Sequence, residues 1–170
     1  MIGRMCGKIA CPTAVLAGIA VISAGALAAA LTAQYVYGLQ PCILCLYQRA
    51  PFVIALVLSL IGLAFFRKNA AMIAALCALA FAVNAVIAFY HVGVEQHWWV
   101  SFLEGCAVPD LGNDPAALLE NIMNAKPVRC DEIAWVDPVF GQSMAVYNVV
   151  LCTGLAVFCG LSTCFLKKKD

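Results

Sequence analysis

Four long apolar runs set the pattern of the chain, broken by two short polar stretches and one long one. The runs cover residues 12–36, 46–66, 70–90 and 144–166. Each has about 20 residues or slightly more, enough for a helix to cross a hydrocarbon core about 30 Å thick. Lipid offers no water to satisfy backbone N–H and C=O groups, so such runs span as helices. The pattern predicts an all-α membrane protein, a four-helix transmembrane bundle occupying the whole chain, 1–170, as one domain. Gly18, Gly25, Gly62, Gly154 and Gly160 fall inside the runs, where small residues let helices approach closely.

The breaks between the runs differ in kind. Residues 37–45 make a short connection, and residues 91–143 make a long polar segment. Within the latter, NDPAALLENIM offers Asp114 as a helix cap and Pro115 for the first helical position. Leu118, Leu119, Ile122 and Met123 follow at helical spacing. That stretch predicts a short amphipathic helix, lying on the membrane surface or folded onto its own loop. Trp98 and Trp99 suit the level of the lipid headgroups.

Composition agrees with this reading. The chain is 65% hydrophobic and 11% charged, against roughly 45–50% and 25% in soluble domains. The net charge of +1 says nothing about nucleic acid, and no basic stripe is present to bind it, so no nucleic-acid partner is expected. The first run is longer than a signal h-region of about 7–15 residues, so it is expected to remain as an uncleaved span. Charge also sets the orientation. Arg4 and Lys8 precede the first run, Arg67 and Lys68 lie between the second and third, and Lys167, Lys168 and Lys169 follow the fourth. Four crossings put all of these on one face. The long segment on the other face sets Lys126 and Arg129 against Glu95, Glu104, Asp110, Asp114, Glu120, Asp131, Glu132 and Asp137. Both termini are therefore expected in the cytoplasm, and both connections outside.

This topology sorts the ten cysteines. Cys6 and Cys11 lie near the cytoplasmic start, and Cys77, Cys152, Cys159 and Cys164 lie within the spans. Free cysteine is a small hydrophobe that is often buried, so these six are expected to pack or to remain reduced. Cys152 and Cys159, seven residues apart, share a helical face. Cys42, Cys45, Cys106 and Cys130 reach the outer face, where disulfides persist.

The C-x-x-C pair lies in QPCILCLYQR, where Pro41 suits the start of a helix. A helix N-terminus favours a thiolate, and Arg49, four residues after Cys45, shares its face. Arg49 reads either as a cation acting on this thiol or as an interfacial arginine reaching for water. Cys106 and Cys130, 24 residues apart, read either as a structural loop disulfide or as a second redox centre exchanging with the first.

Four spans, the motif Pro41-Cys42-Ile43-Leu44-Cys45-Leu46-Tyr47-Gln48-Arg49 and a distal cysteine pair resemble the bacterial disulfide-bond formation protein B (DsbB) family over nearly the whole chain. The resemblance implies a thiol:quinone oxidoreductase of the bacterial inner membrane. Such a protein oxidises a periplasmic DsbA-like, thioredoxin-fold oxidase and passes two electrons to quinone, either ubiquinone or menaquinone, without a metal. By position, Cys106 would take attack by the partner and Cys130 would be its disulfide mate. Cys42 and Cys45 would form the second disulfide and reoxidise the first. Cys45 would meet the quinone, with Arg49 binding or polarising it and His91 at the same site. His97 has no expected role. The stretch VRCDEIAWVDPVFGQSMAVYN departs from the family pattern as a variant branch.

Three other readings remain open at this level. A zinc site would use Cys42, Cys45, Cys106 and Cys130, although structural zinc sites usually show two closely spaced pairs. A non-enzymatic scaffold would use its outer cysteines only as structural disulfides. A quinone reductase like the related vitamin K epoxide reductases would run similar chemistry in reverse.

Overall fold

The computed structural model describes residues 11–101 and 130–167. Four helices are built as the apolar runs predict: α1 (Pro12–Tyr35), α2 (Ile43–Ala64), α3 (Ala70–Glu95) and α4 (Met144–Lys167). A 3₁₀ turn, Arg67–Asn69, joins α2 to α3. All four helices have the length and composition of membrane spans, and the protein is a multi-pass helical membrane protein. The expected amphipathic helix lies outside the described residues.

Two boundaries move in ways that matter for the site. α2 begins at Ile43, three residues earlier than the apolar run, because Cys42 caps it: the Cys42 sulfur accepts from the Cys45 N–H at 3.4 Å. α3 continues five residues past the apolar run, to Glu95. Its end is a Schellman motif, with Trp98 N–H bonded to Gly93 C=O (2.8 Å) and His97 N–H to Val94 C=O (3.1 Å). His97 takes the left-handed position, at φ 58°, that such a motif requires. These two shifts bring Cys45 and His91 inside helices, where their directions are fixed.

The helices pack in chain order. α3 lies most extensively on α4, α1 on α2, and α2 on α3, whereas α1 and α4 touch at few points. The core combines Leu16 and Ile19 of α1, Phe52 and Ala55 of α2, Cys77 and Phe81 of α3, and Cys152, Leu155 and Cys159 of α4. Phe52 and Phe81 meet at 5.6 Å in a tilted pair. On the opposite faces Val21 is 71% exposed and Val86 70%. Those apolar faces are what a helix bundle presents to lipid. Cys77, Cys152 and Cys159 are fully buried, as expected of packing thiols, and Cys164 is exposed.

Of the five glycines expected at helix contacts, only Gly62 is at one. A Cβ there would press on Ile73 and Leu16, while Gly18, Gly25, Gly154 and Gly160 face open space. The tightest glycine was not among the five. Gly93 lies against the Trp99 indole, which stacks on Tyr90 (5.8 Å, 14°) and donates to Tyr90 C=O at 3.1 Å. The tryptophan pair thus folds back on the last turns of α3, with Trp98 exposed. Replacing Gly93 with Val places the new side chain inside the indole and expels it. The expected cost is about 1–3 kcal/mol of stability, the range for overpacking, read from thermal unfolding in detergent against wild type.

Candidate functional site

The site lies at the Cys42 end of the bundle, where α2 begins and α3 ends. Cys42 is buried as the N-cap of α2, and Cys45 stands one turn in, with its sulfur 3.3 Å from the Cys42 sulfur. The segment from 130 to 143 returns the chain to the start of α4. A tight turn holds it: Asp137 C=O accepts from Gly141 N–H, and Asp137 N–H bonds Gln142 C=O. Gly141 supplies the positive φ (67°) that this turn needs. The Asp137 carboxylate accepts from Phe140 N–H and Tyr147 O–H, both at 2.8 Å, and these hold its acid form below the usual range. The stretch from Asp137 to Gln142 is therefore a clamp onto α4.

That clamp sets Cys130 beside Cys42. Cys130 is buried against Cys42, Leu44 and Val94. The Cys42 and Cys130 sulfurs and a ring nitrogen of His91 all lie within 4.8 Å of one another. The thiol hydrogen bonds run in one direction, from Cys130 to Cys42 and from Cys42 to Cys45. The bond from Cys130 lowers the Cys42 pKa, but the bond to Cys45 and burial together outweigh it and push Cys42 up to about 11. Cys130 is raised too, by its bond to Cys42 and by burial. Both are therefore thiols at neutral pH. Among the described residues no disulfide is formed, so the expected Cys42–Cys45 pair stands here in its reduced form. Cys106 and its expected bond to Cys130 lie outside the described residues.

Polar side chains buried in the bundle surround these thiols. His91 Nε2 lies 3.5 Å from the Cys42 sulfur and 3.7 Å from Glu95 Oε1, while His91 Nδ1 lies 3.0 Å from Gln48 Nε2. Ser143 donates to the other Glu95 oxygen, and Asn148 Nδ2 donates to Gln48 Oε1. Arg49 donates from Nη1 to Gln34 Oε1 at 2.7 Å, and its buried Nε has no partner among the described residues.

A cavity of about 340 Å³ opens beside the thiols. Ala26, Ala29, Ala30 and Ala33 form its α1 wall, at the spacing of one helical face. Cys45, Gln48, Arg49 and Phe52 come from α2, His91 and Glu95 from α3, and Tyr147, Asn148 and Leu151 from α4. It fills the seam where α1 and α4 make little contact. Small alanine side chains leave the volume, and the polar groups gather at the thiol end.

The structure thus brings together five of the six expected site residues: Cys42, Cys45, Arg49, His91 and Cys130. Gln34, Gln48, Glu95, Ser143 and Asn148 were missed. The signal was there for Gln48 and Asn148, since an uncharged polar residue inside an apolar run is costly in lipid and marks a function by default. Glu95 was hidden because the apolar run ends before it.

The fold and the site together define a helical membrane protein that gathers thiols beside an apolar cavity at one end of its bundle. Residues 12–162 match the model of the family described as "Disulfide bond formation protein DsbB", and the chain belongs to that family. A relative named "Disulfide bond formation protein B", from Herminiimonas arsenicoxydans, is 32% identical over 155 residues, covering 91% of this chain and 96% of the relative. No solved structure matches the chain. Membership gives the protein an oxidoreductase role in disulfide bond formation.

Proposed function

We propose that the protein oxidises a DsbA-like thioredoxin-fold oxidase in the periplasm and passes the electrons to quinone in the bacterial inner membrane. The observation that carries this reading is the row of sulfurs from Cys130 through Cys42 to Cys45, ending at the wall of an apolar cavity. The charge asymmetry of the loops supports a periplasmic position for the thiols and a cytoplasmic one for both termini.

The chemistry follows from thiol–disulfide exchange. A partner thiolate attacks Cys106 of a Cys106–Cys130 disulfide, and the electron pair of that bond leaves on Cys130. Cys130, held beside Cys42, attacks a Cys42–Cys45 disulfide at Cys42. The Cys42–Cys45 bond breaks and Cys45 leaves as thiolate. The second partner thiolate then attacks the partner sulfur of the mixed disulfide and expels Cys106, which attacks Cys130 of the Cys42–Cys130 bond, restores the Cys106–Cys130 disulfide and releases Cys42. Net, two partner thiols become one disulfide, and two electrons with two protons remain to be removed.

The cavity fits a quinone on its own features. Its walls are largely apolar, its volume lies within the usual range of about 300–1,000 Å³, and the unpartnered buried Arg49 Nε offers a donor for a carbonyl oxygen. Quinone supplies the two-electron acceptor. Cys45 would face it, Arg49 would hold developing negative charge, and the alanine face of α1 would exclude water. In a dry site such a fixed donor is worth far more than in water.

The test mixes purified protein with a reduced thioredoxin-fold dithiol oxidase and a soluble quinone, and follows the quinone absorbance. Wild type is expected to turn over, and Cys106→Ala to fall to background. No turnover by wild type would sink the reading.

A further inference from the structure

The buried polar groups around His91 form one continuous hydrogen-bonded chain, and its direction can be read from its far end. The anchor is the backbone carbonyl of Gln48, which can only accept. Asn84, fully buried in α3, therefore turns its NH₂ toward it, at 3.1 Å. The second hydrogen of that NH₂ faces the Cys152 sulfur at 3.2 Å. The sulfur accepts there, which leaves the Cys152 S–H to donate to Asn148 Oδ1, also at 3.2 Å. With its oxygen occupied, Asn148 presents its NH₂ to Gln48 Oε1. Gln48 then presents its own NH₂ to His91 Nδ1 at 3.0 Å.

An amide NH₂ can only donate, so Nδ1 must carry a lone pair. The proton of neutral His91 is then on Nε2, which lies 3.5 Å from the Cys42 sulfur and 3.7 Å from Glu95 Oε1. Two acceptors on that side agree with the assignment made from the other. Reversing the Asn148 and Gln48 amides would strand the Cys152 S–H without an acceptor among the described residues.

We infer that Asn84, Cys152, Asn148 and Gln48 are positioning residues that lock His91 as the Nε2–H tautomer, making it a hydrogen-bond donor to the Cys42 sulfur and not the base that deprotonates it. On the proposed thiol chemistry, that donor steadies charge on Cys42 when the Cys42–Cys130 bond breaks. Cys152 lies outside the redox set, and the chain gives it this second use. The role rests on the proposed function, but the tautomer does not.

The protein has two histidines, so ¹⁵N-histidine labelling of the full chain in detergent, fully reduced, gives a tractable spectrum, with His97→Gln assigning His91. Wild type at neutral pH is expected to show a lone-pair-type Nδ1 and a protonated Nε2. Cys152→Ser, which keeps an O–H donor, should retain that pattern. Cys152→Ala should lose it to a mixture of tautomers. Gln48→Glu, which has no NH₂ to offer, should move the proton onto Nδ1. A wild-type spectrum with Nδ1–H overturns the inference on its own. So does a Cys152→Ala spectrum identical to wild type. Because no turnover is measured, failure of the quinone assay and failure of this test are separate results.

Discussion

Replacing Cys45 with Ser is expected to abolish quinone reduction, by roughly 1,000-fold or more as for loss of a covalent nucleophile, while leaving a disulfide between Cys42 and Cys130. The geometry gives the reason. Cys42 has two sulfur neighbours, Cys45 at 3.3 Å and Cys130 within 4.8 Å. Removing the first leaves the second as its nearest oxidation partner. Cys45 is also the last acceptor in the thiol chain, and with Cys42 it lines the cavity, one turn from Arg49 and Gln48. Mass spectrometry of alkylated, unreduced peptides reads both halves of the expectation. A Cys42 that stays alkylatable after mild oxidation would remove Cys130 from the relay. Retained turnover would remove Cys45 from it.

The number of spans and their approximate bounds were legible because lipid imposes a simple rule: about 20 apolar residues in a row, with the backbone satisfied internally. The two thiols of QPCILCLYQR were legible because their spacing and position at a span edge are local facts. The approach of Cys130 to Cys42 was not. It depends on the Asp137–Gln142 turn, on the Tyr147 and Phe140 bonds to Asp137, and on the start of α4, none of which the cysteine spacing encodes. Glycine contacts failed for a similar reason. A glycine in a membrane helix permits a close approach, but whether a neighbour arrives depends on helix rotation, and only Gly62 of the five meets one. The polar chain through Asn84, Asn148 and Cys152 was not read from the sequence. An amide inside an apolar run is a local signal, but the joining of these groups across α2, α3 and α4 is a property of the bundle.

Arg49→Met should separate the two halves of the proposed reaction. Arg49 is anchored through Nη1 to Gln34 at 2.7 Å and presents a buried, unpartnered Nε beside the cavity. Its removal strips a preorganised donor from the place where negative charge would develop on a quinone oxygen, a loss of about 10²–10³ in turnover by analogy with deleting one oxyanion donor. Exchange between the partner and the protein's own disulfides uses sulfur alone and should proceed at the wild-type rate. Stopped-flow mixing with reduced partner, without quinone, reads that first half, and steady-state kinetics with a soluble quinone read the second. Arg49→Lys should recover only part of the loss, because a point-charge ammonium lacks the rigid fork that bonds Gln34 and still points a second N–H elsewhere. Full activity in Arg49→Met would return Arg49 to the role of an interfacial charge. An equal loss in both halves would mean that the arginine holds α1 against α2 and has no part in the chemistry.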